Sequence, residues 1–228
     1  MGDARTYPGA DPYGATRDRV RGYFDGTATK VWEDLTSDAP VSKVRQTVRA
    51  GRDRMRDIIL SRLPEDLTGL RVLDAGCGTG AKTALLAARG ADVVAIDISP
   101  KLLDIAAQRL DVSLCARVSF QSADMFSADL GMFDAVVAQD SMIYYDAVAL
   151  RKKLSALMLR TPLIVTSLAP RTPLLSMMFL AGKAFPRSDR SPAMVPHNME
   201  RLAKDLGGTV VERVTSGFYI SSCLEVRA

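Results

Sequence analysis

The segment Asp74-Ala-Gly-Cys-Gly-Thr-Gly80 constrains this chain more than any other. Its three alternating glycines follow a short apolar run, Leu70-Arg-Val-Leu-Asp74, that suits a strand buried on both faces. They precede Ala81, Ala84, Leu85 and Ala88, a stripe at helical spacing. A strand that turns into a helix through glycines leaves bare backbone for a ligand to approach. In an open α/β sheet such turns lie at the carboxyl ends of the strands, where ligands bind.

The residues downstream supply the rest of that sheet. Gly90 stops the first helix, and Asp92-Val-Val-Ala-Ile-Asp97 reads as a second buried strand. Ser99-Pro100 provides an N-cap and an early proline for a helix that buries Leu103, Ala106, Ala107 and Leu110. Val118-Ser-Phe-Gln-Ser, Phe133-Asp-Ala-Val-Val-Ala138 and Leu163-Ile-Val-Thr-Ser167 are the third to fifth strands, with a helix over 148–159. Two further strands, around 209–215 and 223–227, are joined near Gly217 as an antiparallel hairpin. Strand–helix alternation predicts right-handed crossovers and a doubly wound, mostly parallel α/β sheet of seven strands.

The flanks divide the chain into three parts. Residues 1–16 read as a flexible tail, 17–65 as a helical cap, and 66–228 as the sheet domain with an insertion at 170–200. In the cap, Val44, Val48, Met55 and Ile59 share one face. Arg45, Arg49, Arg52 and Arg56 form a second stripe, diluted by Asp53 and Asp57, and the spacing predicts a solvated face. Contact with anionic lipid, a partner protein or an acidic substrate group are the other readings of that stripe.

Composition closes off several classes. The 228 residues suffice for one substantial core, and 47% hydrophobic with 25% charged is an ordinary globular balance. A net charge of +4 is too weak to argue for nucleic acid. Cys77, Cys115 and Cys223 are odd in number and scattered, as suits reduced thiols rather than disulfides or a zinc site. The most hydrophobic stretch, 162–185, is broken by Pro170, Arg171, Pro173 and Lys183, which argues against a membrane span. With no apolar run after the N-terminus, a cytoplasmic location is expected.

Three acids fall at successive strand ends. Asp74 precedes the glycines Gly76, Gly78 and Gly80, where it can reach a cationic head group directly or through water. Asp97 stands where an acid accepts from both ribose hydroxyls. Asp124 can accept from an adenine amino group while Met125 packs on the ring. The set suits an adenosyl ligand with a positive head. Gly76-Cys-Gly-Thr-Gly-Ala81 also satisfies a dinucleotide fingerprint. Against that stand an acid facing pyrophosphate and the absence of a second mononucleotide half.

Asp-Ala-Gly-Cys-Gly-Thr-Gly, Ala-Ile-Asp-Ile-Ser and Phe-Asp-Ala-Val resemble the successive motifs of class I methyltransferases, over about residues 70–168. The resemblance implies a Rossmann-like fold and S-adenosylmethionine as donor, with S-adenosylhomocysteine as product. It adds Ile98 and Gln139 to the donor-binding set. The flanks are narrower in what they match. Val20-Arg-Gly-Tyr-Phe-Asp-Gly-Thr, the Trp32 stretch, 44–52, Gln139-Asp-Ser-Met-Ile-Tyr-Tyr145 and 182–192 resemble the magnesium-protoporphyrin IX methyltransferases. That family esterifies one propionate of the porphyrin in (bacterio)chlorophyll synthesis. Magnesium would then arrive inside the substrate, with no metal site on the protein. The family's association with the magnesium chelatase large subunit and with photosynthetic membranes implies those contacts here.

The resemblance also assigns acceptor residues. Met178 lies in the apolar, methionine-containing part of the insertion, and Lys183, Arg187 and Arg190 follow it, suited to gripping a carboxylate. Spacing alone favours an amphipathic helix packed on the sheet. Tyr23 and Tyr144 are the candidate catalytic positions, with simple aromatic packing the other reading of Tyr23. Where the family often carries histidine, this chain has Tyr144, so a positioning role is expected rather than an imidazole base. The single histidine, His197, reads as a cap or surface residue. A quinone-precursor methyltransferase and a non-catalytic cofactor- or porphyrin-binding protein are the competing functions.

Overall fold

In a computed structural model, the structure describes residues 12–26, 28–37, 40–173, 175–177 and 192–228. The seven-stranded sheet has the order β3-β2-β1-β4-β5-β7-β6. Its strands are β1 (Arg71–Ala75), β2 (Asp92–Asp97), β3 (Val118–Ser122), β4 (Ala135–Ala138), β5 (Leu163–Leu168), β6 (Thr209–Ser216) and β7 (Tyr219–Arg227). The first five run parallel, and β7 pairs antiparallel with both β5 and β6. Chain order reverses between β1 and β4, which places the glycine turn after β1 at the switch point. The antiparallel β7 occupies the place where a dinucleotide fold continues its second parallel half, so that reading is set aside.

Side chains alternate along the buried strands and feed two core layers. Leu73, Ile96 and Val136 face α6 (Ala147–Met158) and a last helix, α7 (Met199–Leu206). Val72, Val93 and Val137 face α3 (Lys43–Ser61) and α4 (Ala81–Ala88). The local signals lie where the sequence places them. Gly90 follows α4 at a φ of 97°, and Ser99 caps α5 (Pro100–Arg109) by accepting from the Leu102 amide.

The N-terminal flank differs from the sequence reading in two ways. Helix α1 (Pro12–Asp25) starts inside the stretch assigned to a flexible tail, and Tyr13 is buried in the core. Its ring stacks on Tyr145 at 4.8 Å, and its hydroxyl donates to Asp124 at 2.6 Å. An aromatic among Gly, Pro and Asp gave no periodicity to read, yet tertiary packing orders it. The cap is also three helices, with α2 (Ala28–Leu35) between α1 and α3. It is fastened to the sheet domain by Ser99 Oγ donating to Asp25 and by the Thr79–Thr36 hydroxyl pair.

Helix α3 lies against β6 and β7 through an unusually close contact. A Cβ on Gly51 would stand 2.6 Å from Tyr219 Cδ1 and 3.0 Å from Ser216 Cβ. Arg54 pairs with Glu212 and Arg62 with Glu225, both at 2.6 Å, and Ser216 Oγ donates to the Thr47 carbonyl. No helix among the described residues is long and apolar enough to cross a membrane. The insertion residues Met178, Lys183, Arg187 and Arg190 lie outside the described residues.

His197 is not on the surface. It is 2% exposed and forms an isolated bridge with Pro170, while Asn198 provides the cap of α7. Burial lowers its pKa, and Nε2 has no hydrogen-bond partner.

Replacing Gly51 by Val should force α3 off the hairpin and destabilise the fold by about 1–3 kcal/mol, the usual penalty of overpacking. Thermal denaturation checks this. A variant as stable as the wild type would show that the close approach has no structural weight.

Candidate active site

A cavity of about 360 Å³ opens at the carboxyl ends of β1, β2 and β4 and is roofed by α1, α2 and α3. Gly76 and Gly78 form part of its floor. Gly76 has a φ of 76°, and a Cβ there would collide with Ser141, so the turn accepts only glycine without rearrangement. Gly80 does not line the cavity. Its bare Cα lets α4 approach Ala106 on α5, a packing role instead of a ligand role.

Asp97 lies at the cavity wall, 8% exposed. Its carboxylate accepts from the Gly78 amide and the Ser99 amide, each at 2.9 Å, which joins the end of β2 to the glycine turn. Burial nevertheless pushes its pKa up to about 6, against the pull of those two amides. Ile98, Met125, Gln139 and Tyr144 also line the cavity, as does Asp124. The structure thus brings together eight of the eleven residues that the sequence assigned to donor binding or catalysis and that lie in described segments: Gly76, Gly78, Asp97, Ile98, Asp124, Met125, Gln139 and Tyr144.

The other two acids have side-chain partners within the protein. Asp74 is fully buried and does not line the cavity. It pairs with Lys82 Nζ at 2.8 Å and accepts from Thr83 Oγ1 at 2.7 Å. Lys82 does line the cavity, so it is the group a ligand meets, and direct contact of Asp74 with a head group is not what this geometry offers. Asp124 accepts from Tyr13 and lies 3.5 Å from an Arg17 Nη. A ligand amino group there would share or displace the tyrosine.

The tyrosines separate. Tyr144 is half-buried, and loss of solvent together with the nearby Asp140 carboxylate raises its pKa well above the ordinary phenol value. It stays protonated and can orient but not deprotonate. Tyr23 does not line the cavity; its ring packs edge-on against Phe24, which does, and which also touches Trp32 and Tyr144.

The arginine stripe is the largest departure from expectation. Arg49, Arg52 and Arg56 line the cavity in place of facing solvent. Arg49 donates to the Asp34 and Leu35 carbonyls at the end of α2. Arg52 donates to Asp140 at 2.6 Å, and its guanidinium lies 4.5 Å from the Trp32 ring centroid. Arg56 pairs with Asp53 through Nη1, but its buried Nε has no hydrogen-bond partner. Gln139 points at this helix, its Nε2 donating to the Arg52 carbonyl at 2.7 Å.

Asp140 was not singled out from the sequence. It follows β4 at a φ of 54°, the only positive φ outside glycine among the described residues. Its carboxylate accepts from Arg52, from Ser167 Oγ at 2.8 Å and from Tyr219 Oη at 3.0 Å. Three donors converge on a carboxylate whose side chain is 7% exposed.

Comparison with known proteins agrees with this geometry. Residues 138–228 match the family described as Magnesium-protoporphyrin IX methyltransferase C-terminus, and residues 72–160 match Methyltransferase domain. The magnesium-protoporphyrin O-methyltransferase of Rhodobacter capsulatus is 55% identical over 94% of this chain and 98% of its own length. That of Synechocystis is 31% identical over 90% of this chain and 94% of its own. The crystal structure of the Synechocystis magnesium protoporphyrin IX methyltransferase with bound SAH superposes with a TM-score of 0.79 at 28% identity. It covers 93% of this chain and 100% of its own. A second structure of that enzyme, with SAM, gives 0.75. Sheet order, donor cavity and near-full-length similarity converge: this chain belongs to the magnesium-protoporphyrin IX methyltransferase family.

Proposed function

We infer that this chain transfers a methyl group from S-adenosylmethionine to a propionate carboxylate of magnesium-protoporphyrin IX, giving the monomethyl ester. The observation that carries the reading is a single cavity whose floor bears acids and whose roof bears arginines. A cationic adenosyl donor suits the floor, and an anionic acceptor suits the roof.

The donor fits the residues present. Asp97 would take the ribose hydroxyls, with Ile98 and Met125 against the adenine and Asp124 toward its amino group. Gly76 gives the head group access to backbone. Arg56, whose buried Nε makes no hydrogen bond and lies 4.0 Å from the Asp57 carboxylate, is suited to the donor's carboxylate. Gln139 sets the distance between that arginine's helix and β4. Asp74 acts through Lys82, holding that cation beneath the glycine turn.

The bound donor supplies an activated methyl on a sulfonium. The acceptor oxygen takes the methyl, the carbon–sulfur bond breaks with its electrons on sulfur, and both opposite charges vanish. No proton moves, so no general base is required, and a carboxylate is ionised at neutral pH. The protein's task is to strip water from the carboxylate and hold it in line. Tyr144, with Tyr23 beside it, serves that positioning, and Met178, Lys183, Arg187 and Arg190 of the insertion belong to the acceptor side. Substrate hand-over from the magnesium chelatase large subunit and peripheral contact with photosynthetic membranes complete the proposal; the excess of basic residues supports the latter.

Incubation with methyl-labelled donor and magnesium-protoporphyrin IX should yield labelled monomethyl ester, with far less label on a quinone precursor. Label on the quinone precursor alone, or donor binding with no transfer at all, would overturn the reading. Donor binding should also carry the titration of Asp97. Protonation removes the ribose acceptor, so affinity for S-adenosylhomocysteine should fall as pH drops below about 6. The pH dependence should flatten in Asp97→Asn. Calorimetry between pH 5 and 8 checks this, and a wild-type affinity flat across the range would remove Asp97 from the ribose site.

A further inference from the structure

We propose that Arg52 holds the acceptor carboxylate and that Asp140 tempers its charge so that the bound carboxylate remains nucleophilic. This rests on the carboxylate-acceptor reading above and goes further by naming the pair that sets acceptor specificity.

Arg52 is built as a ligand-holding group. One edge is fixed by the Nη1 bond to Asp140, and one face by Trp32. That leaves the rest of the fork in a half-open position, 16% exposed, on the cavity wall beside Tyr144. Nη1 makes its one hydrogen bond to a described residue, so Nε and Nη2 retain donors for a ligand. A guanidinium fixed on two sides loses little freedom when it takes a carboxylate.

Asp140 occupies a backbone conformation that non-glycine residues seldom adopt. Ser167 and Tyr219 hold its carboxylate there, and its own amide donates to Ser167 Oγ at 2.9 Å. Such strain persists where surroundings enforce it, and it concentrates at functional sites. A purely structural tie between α3 and the sheet would not need it, because Gly51 against Tyr219, Arg62 with Glu225 and Gln139 on the Arg52 carbonyl already supply that tie.

The chemistry explains why the cation carries a counter-charge. The acceptor starts as an anion and ends as a neutral ester. An unshared guanidinium would therefore stabilise the bound reactant more than the transition state, lowering KM and kcat together. Asp140 shares the guanidinium's charge and reduces that imbalance. Arg52 then provides recognition, and Asp140, acting through Arg52, is a positioning residue.

The test compares Arg52→Met and Asp140→Asn with the wild type in the labelled-methyl assay, alongside calorimetry with S-adenosylhomocysteine. Acceptor binding is read by quenching of Trp32, the only tryptophan. Arg52→Met should raise the porphyrin's KM and its quenching midpoint at least about tenfold, the loss of a charged hydrogen bond. Donor affinity should stay within about twofold, and added methylguanidinium should restore part of the loss. Asp140→Asn tolerates the positive φ and should lower kcat several-fold without raising KM. Unchanged KM in Arg52→Met, or parallel loss of donor affinity and melting temperature in both variants, would overturn the proposal. A wild-type protein that methylates no porphyrin would instead overturn the functional reading beneath it.

Discussion

The close seating of α3 on the C-terminal hairpin is the contact on which the rest of the site depends. Gly51 lets the Tyr219 ring lie against the helix backbone, and the Tyr219 hydroxyl then reaches Asp140 at the end of β4. Asp140 fixes Arg52, and Arg52 covers Trp32 on α2. One run of contacts thus joins the hairpin, the switch-point edge of the sheet and two cap helices. The seating of α3 through Gly51, the Arg62–Glu225 pair and Gln139 holds the roof above the glycine turn, and the Asp140–Arg52 pair places the guanidinium on its wall.

Charge is distributed across that cavity in a way the chemistry requires. The sheet edge contributes Asp97 and Asp124, and the cap contributes Arg52 and Arg56. A sulfonium donor and a carboxylate acceptor carry opposite charges that disappear when the methyl moves. A dry enclosure favours that loss, because water would stabilise the charged reactants more than the neutral products. Each ion nevertheless needs a partner to enter at all, and the paired residues of the walls answer both demands. Tyr144 remains a neutral phenol in this setting, consistent with a reaction that transfers no proton.

What could be read in the sequence was what local rules decide. Strand positions, the Ser99 cap, the Gly90 stop and the place of Asp97 follow from periodicity, capping chemistry and spacing within one βαβ unit. The misplacements have a common physical origin in tertiary docking. Whether a helical arginine stripe faces water or a cavity depends on what the helix lies upon. In the sequence Asp74 reads as facing a ligand's head group, but the turn geometry brings Lys82, eight residues on, to it instead. Tyr13 offered no pattern, since its order comes from Tyr145 and Asp124, more than a hundred residues away. The backbone angle that marks Asp140 is not a property of composition at all.

Hydrogen–deuterium exchange with and without S-adenosylhomocysteine tests most directly whether the cap completes the donor site. The account predicts slower exchange both in the turn at 75–81 and in α3 around 51–57, where Gln139 and Arg56 link helix to cavity. Protection of the turn with α3 unchanged would contradict it, leaving the cap outside the donor pocket.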